Sequence, residues 1–151
     1  MPIKSPKQIA LYLLGRRDYT AHQLQQKLEA KHYSQEDITP LLDELMIAGW
    51  LNDERFAENY IRTRRQKGYG PKRIAIELTT RGVPDVLIAE KLDIHDNAWL
   101  ADARKIWQKQ FKGQLPKDHP TKTKHIRFLL YRGFTLDLIM TLLSSGYYDT
   151  E

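Results

Sequence analysis

Residues 70–92 read GPKRIAIELTTRGVPDVLIAEKL. Within them Gly70, Ile74, Leu78, Gly82, Val83, Ile88 and Leu92 stand at offsets 0, 4, 8, 12, 13, 18 and 22. The same spacing occurs upstream at Thr20, Leu24, Leu28, His32, Tyr33, Ile38 and Leu42, and downstream at Thr121, His125, Leu129, Gly133, Phe134, Ile139 and Leu143. The period is 50 and then 51 residues. Offsets 0, 4 and 8 share one face of a helix. That helix should stop at offset 12, where Gly82 and Gly133 suit the left-handed position just past a helix end and His32 fits it less comfortably.

The start of each such helix has its own signal. Thr20 with Gln23 makes a capping box. Gly70 is followed by Pro71, which loses nothing at a first helical position. Thr121 is expected to open the third. A further helix should begin after Ser34, at Pro84 and after Thr135, sending Ile38, Ile88 and Ile139 inward. Another helical run precedes each pair. The first starts at Ser5-Pro6-Lys7-Gln8, with Ile9, Tyr12 and Leu13 as its apolar face. The second starts at Asp53 and buries Phe56, Ala57, Tyr60 and Ile61. The third starts near Asn97 with Trp99, Leu100, Ala103, Ile106 and Trp107. No strand pattern competes. The expected fold is all-α: three tandem three-helix repeats, residues 1–52, 53–94 and 95–151, in an elongated, curved array whose units lean on their neighbours.

Composition narrows the function. The chain has 151 residues, no cysteine and a net charge of +5. Disulfides, thiolate metal sites and a cysteine nucleophile are excluded. Residues 1–52 carry six basic and six acidic side chains, residues 53–93 nine and seven, and residues 94–151 nine and six. The basic excess lies in the last two thirds and favours a polyanionic partner. No apolar run reaches the roughly 18 residues of a membrane span. The opening MPIKSPKQIALYLLGRRD breaks at Gly15-Arg16-Arg17 without a cleavage-like tail, so a signal peptide is not expected and the cytoplasm is.

The densest basic stretch, RTRRQKGYGPKR at 62–73, has six Arg or Lys in twelve residues and no acid. A phosphate-binding P-loop needs a preceding strand, and here a helix precedes the turn. Arg55, Arg62 and Arg65 fall on one stripe, expected to face outward, and Arg62, Arg65, Lys67, Lys72 and Arg73 converge near one turn. They read as a solvated face or as a contact to a polyanion or an acidic protein surface. Lys124 and Arg127 extend the candidate set into the third repeat. Lys31, Arg81 and Arg132 each precede the offset-12 position, where a cation complements the helix dipole. Ile76 lies off the buried face. Catalysis has little support: His22, His32, His95, His119 and His125 show no metal-ligand spacing, His125 holds a core position, and no nucleophile motif occurs. No enzyme activity, metal or cofactor is expected.

The stretch Trp50-Leu51-Asn52-Asp53-Glu54-Arg55-Phe56-Ala57-Glu58-Asn59-Tyr60-Ile61 resembles the signature of the RecX family of bacterial regulatory proteins. The likeness continues through Arg64, Gly68, Gly70, Ile74, Leu78, Gly82 and Val83, and ALYLLGRRDYTAHQLQQKL resembles the family's first repeat. Asn52 and His32 depart from the commoner aspartate and glycine, and the third repeat matches least. The resemblance marks Asp53, Phe56, Ala57, Tyr60, Gly70 and Gly82 as structural motif residues. It implies a negative regulator of the RecA recombinase that lies in the groove of RecA–DNA filaments and inhibits filament growth, ATPase, strand exchange and coprotease activity. The partners would be the RecA filament and, more weakly, single- and double-stranded DNA, bound by a monomer. Two other readings stay open: a DNA-binding protein of helix-turn-helix type, and a helical scaffold for an unrelated acidic protein.

Overall fold

The computed structural model describes residues 4–145 and contains, among them, nine helices and no strand. They are α1 (Pro6–Arg16), α2 (Ala21–Ala30), α3 (Gln35–Ile47), α4 (Asp53–Gln66), α5 (Pro71–Thr80), α6 (Asp85–Lys91), α7 (Ala98–Phe111), α8 (His119–Arg132) and α9 (Leu136–Ser145). The all-α fold with three helices per repeat is what the sequence pattern requires.

Local chemistry accounts for most of the boundaries. Ser5 and Gln8 form a capping box at α1, with Gln8 N–H donating to Ser5 Oγ at 3.2 Å and Ser5 N–H to Gln8 Oε1 at 2.9 Å. Thr20 and Gln23 do the same at α2, at 3.0 and 3.1 Å. Each box satisfies two backbone donors that a helix start leaves without partners. Asn52 Oδ1 accepts from Arg55 N–H at 3.0 Å, so asparagine serves as the cap of α4. His32, Gly82 and Gly133 all take the left-handed conformation, with φ of 71°, 85° and 104°.

One boundary and one burial expectation need correction. Helix α8 starts at His119 rather than at Thr121, because Asp118 accepts from Thr121 N–H at 2.8 Å and Pro120 fits the first turn. In α1 the side chain that enters the core is Ala10, whereas Tyr12 stays 58% exposed. Tyr12 instead accepts from Arg16 Nη1 at 3.0 Å.

Most repeat positions form the interior, whereas Tyr33 at offset 13 is half-buried and His32 at offset 12 is exposed. Leu24, Leu28, Ile38, Leu42, Ile74, Leu78, Val83, Ile88, Leu92, Leu129, Phe134, Ile139 and Leu143 are all buried. His125 is buried too, at its repeat position. Its Nδ1 accepts from Trp107 Nε1 at 3.0 Å, and the Phe111 ring stacks on it at 3.7 Å. Burial, and then the Lys124 charge, push its pKa below the usual histidine value. A neutral imidazole is what the indole donor needs opposite it.

The chain divides into two compact units: residues up to Asn59 with Leu78–Ile88, and Tyr60–Glu77 with residues from Ala89 onward. Helices α4 and α5 of the middle repeat therefore each contribute one end to each unit. In the first unit, Leu24, Leu28, Ile38, Leu41, Leu45 and Leu51 build a core that Ile9 and Leu13 cover. In the second, α7, α8 and α9 pack on one another around Trp99, Ala103, Trp107 and Leu142.

Candidate functional site

The stretch 62–73 forms the end of α4, a turn and the start of α5. Its turn docks on the end of α8: Gly70 N–H donates to Arg132 O at 2.7 Å, and Lys72 N–H to Gly133 O at 2.9 Å. These are orphan donors at the start of α5 meeting orphan acceptors at the end of α8. The approach is close enough that both sides must be glycine. A Cβ on Gly70 would lie 2.5 Å from the Gly133 carbonyl carbon, and one on Gly133 would lie 2.4 Å from Arg73 Cβ. We term this backbone contact a joint.

The first unit contains the equivalent joint. Thr20 at offset 0 donates its hydroxyl to Arg81 O at 2.5 Å, the carbonyl equivalent to that of Arg132. A Cβ on Gly82 would lie 2.3 Å from His22 Cβ. Asp53 completes this joint: its Oδ1 accepts from Ala21 N–H, the next free donor of α2, at 2.9 Å. In both units, then, the start of one repeat's second helix seats on the end of the same helix in the repeat that follows.

The second joint carries an additional layer of charge. Tyr69, just before Gly70, is surrounded by guanidinium groups, with Arg64 3.8 Å, Arg73 4.4 Å and Arg132 5.0 Å from its ring centroid. Such stacking is favourable because the ring face is electron-rich. One carboxylate sits among them. Glu77 accepts from Arg64 Nε at 2.9 Å and Nη2 at 2.8 Å and from the Tyr60 hydroxyl at 3.1 Å, and its Oε2 is 3.5 Å from Arg73 Nε. Burial pushes the Glu77 carboxyl up, but the Arg64 and Tyr60 hydrogen bonds and the Arg64 charge outweigh it, leaving the pKa below the ordinary glutamate value. Arg73 Nη1 also donates to Tyr131 O at 3.3 Å, and Arg132 Nη1 to Lys67 O at 3.2 Å. Lys67 and Lys72 extend their exposed side chains beside this cluster. Three arginines and two lysines are thus held at one turn with Glu77 as the carboxylate among them.

The other sequence-selected residues separate from this group. Arg65 is not part of an outward stripe. It makes a two-point pair with Asp102, Nε to Oδ2 at 2.7 Å and Nη2 to Oδ1 at 3.1 Å, and lies 4.4 Å from the Trp99 ring centroid. Its helix end faces α7, where a planar guanidinium can stack and pair at once. Arg55 lies in the first unit and donates to Gly49 O at 3.1 Å and Trp50 O at 3.3 Å, closing the α3–α4 loop. Arg62 is exposed on α4, and Lys124 and Arg127 are exposed on α8. Phe56 is half-buried and Ala57 buried. Ile76 is 67% exposed, in keeping with its off-face position. Arg64, Tyr69 and Glu77 are members of the site that the sequence does not mark as contacts, and Arg132, expected only to complement the helix dipole, also stacks on Tyr69. The available signal is the tyrosine preceding offset 0 in both of the first two repeats, Tyr19 and Tyr69. Among the described residues no group of three His, Asp or Glu side chains is arranged to hold a metal ion.

Three family models match in succession: RecX first three-helix domain over residues 7–45, second over 52–92 and third over 100–143. The chain belongs to the RecX family. It is 40% identical over 138 residues to Regulatory protein RecX of Pseudomonas putida, covering 91% of this chain and 88% of that one. It is 42% identical over 130 residues to the Legionella pneumophila protein of the same name, covering 86% and 87%. The crystal structure of RecX from Lactobacillus salivarius superimposes with a TM-score of 0.83 over 95% of each chain at 21% identity, which shows a shared fold. The third RecX domain, where the motif likeness is thinnest, is nonetheless matched from within α7 to within α9. No helix among the described residues is long and apolar enough to cross a membrane.

Proposed function

We propose that this RecX protein is a non-enzymatic, cytoplasmic negative modulator of RecA, acting as a monomer whose three repeats, 1–52, 53–94 and 95–151, lie in the groove of RecA–DNA filaments. The observation that carries the reading is the second joint, which holds Arg64, Lys67, Lys72, Arg73 and Arg132 around Tyr69 with Glu77 as the carboxylate among them. Lys67 and Lys72 are the side chains of this set best placed for phosphate or acidic protein surface. The arginines beneath them are committed to Tyr69 and Glu77 and hold the turn stiff. Arg62, Lys124 and Arg127 would add contacts that are individually weak but act multivalently. Arg65 and Arg55 support the scaffold. Inhibition of filament growth, ATPase, strand exchange and coprotease activity would follow from occupying the groove, with weaker, salt-sensitive binding to single- and double-stranded DNA alone.

The test is a titration into RecA hydrolysing ATP on single-stranded DNA at fixed salt. Inhibition at well below one molecule per RecA supports a block of filament growth. A rate that falls only in step with the DNA sequestered, with equal affinity for that DNA when RecA is absent, would instead make this a plain DNA-binding protein.

A further inference from the structure

Between the α7–α8 loop and α9 of the second unit lies an open cleft of about 1150 Å³. Its floor is apolar, with Leu115, Met140 and Leu143 on it, and Phe111 stacked on the buried His125 closes one side. Its lining includes four lysines, Lys112, Lys117, Lys122 and Lys124. None of the four forms an ion pair with a described residue. The acid in the lining, Asp118, is committed to capping α8 and accepts from Thr121 N–H at 2.8 Å; the Thr121 hydroxyl, and then that N–H, hold its pKa below the ordinary aspartate value. Among the described lining residues the cleft thus sets four lysine charges against one carboxylate, around exposed hydrocarbon.

We propose that this cleft is a docking site for an acidic amphipathic peptide segment of a protein partner. Charge complementarity selects the acidic face, and the aliphatic floor selects a Leu- or Phe-bearing one, in the manner of a helix laid in a groove. Nucleic acid is disfavoured because Leu115, Met140 and Leu143 offer no flat aromatic platform for a base, and the Phe111 ring already stacks on His125.

The full chain is titrated against a fluorescein-labelled peptide of about twelve residues, with Leu and Phe on one helical face and Glu on the other. Saturable binding is expected. Lys117→Glu with Lys122→Glu should weaken it at least about tenfold, and Met140→Glu should do the same through the floor. A peptide of equal charge with Ser in place of Leu and Phe should not bind. All these positions are exposed, and circular dichroism checks that each variant keeps its helices. The proposal is overturned if the wild type shows no saturable binding, or if the Ser peptide binds equally well. It also falls if binding appears only after residues 146–151 are removed. Finally, it falls if oligothymidine binds more tightly than the peptide in a manner that Met140→Glu leaves untouched.

Discussion

The two joints solve one docking problem with different side chains. Both bring the start of a repeat's second helix onto the end of the next repeat's second helix. At offset 0 the first joint has Thr20, whose hydroxyl makes the bond to Arg81 O at 2.5 Å. The second has Gly70, whose backbone N–H makes the bond to Arg132 O at 2.7 Å because there is no room for a side chain. The tyrosines before them diverge likewise. Tyr19 is buried with Arg17 at 4.1 Å, whereas Tyr69 gathers Arg64, Arg73 and Arg132. The close backbone approach recurs in both joints, whereas the stack of three guanidiniums on one tyrosine is described at the second. Function can therefore be placed on a joint without altering how the array is built.

The largest effect should come from filling the joint in which backbone meets backbone. Gly70→Ala places a Cβ 2.5 Å from backbone on the opposite side, with no flexible side chain to yield, and should cost about 3 kcal/mol or more. Urea denaturation measures it, and a midpoint equal to wild type would refute the docked geometry. Glu77→Gln comes next. It leaves the Arg64 and Arg73 charges, Arg64 being only 18% exposed at its side chain, without their carboxylate, at a cost of about 1–3 kcal/mol. Because the native Glu77 pKa lies below the ordinary value of 4.5, its contribution is complete above that pH and disappears as pH falls through the lowered native value. The variant should accordingly lose less stability than wild type as the pH is taken from about 5 to about 3, by calorimetric Tm.

Thr20→Val tests the side-chain bond of the first joint. It keeps the shape and removes a hydroxyl that bonds both Arg81 O and Gln23 N–H, and should cost about 1–2 kcal/mol, less than Gly70→Ala. If the order of these two variants reversed, the distinction between a side-chain joint and a backbone joint would be lost. The smallest effect concerns His125. Its native pKa is depressed from 6.5, so its contribution is complete above that value and is lost progressively as pH falls below it. His125→Gln keeps an acceptor for Trp107 and should flatten the Tm profile between about pH 7.5 and about pH 5.5. An unchanged slope would assign that pH dependence to another group.

Much of this organisation is legible in the chain, for identifiable reasons. The repeat core can be read because Leu24, Leu78 and Leu129 recur with helical spacing, and burial follows spacing. Gly82 and Gly133 can be read as left-handed positions. What the spacing does not contain is the second demand on those glycines, the close approach of His22 and Arg73, which depends on which repeat docks on which. The cap at Asp118 is hidden because Thr121 occupies the repeat register and carries a plausible capping side chain, while the stronger cap lies three residues earlier. On an isolated α4, Arg65 would be solvated together with Arg62. In the folded unit Asp102 and Trp99 of α7 meet it, and nothing in the α4 sequence announces them. Glu77 shows the same limit. An acid on α5 acquires its role only when α4 brings Arg64 and Tyr60 against it.

If RecA is regulated as proposed, the exposed lysines of the charged joint carry the contact. Lys67→Glu with Lys72→Glu is the direct test, since both side chains are exposed and the cation–aromatic cluster beneath them is left intact. The double variant should melt with wild-type Tm and bind the acidic peptide unchanged, yet lose most of its inhibition of RecA ATP hydrolysis on single-stranded DNA. Full inhibition at the wild-type ratio of protein to RecA would contradict that assignment.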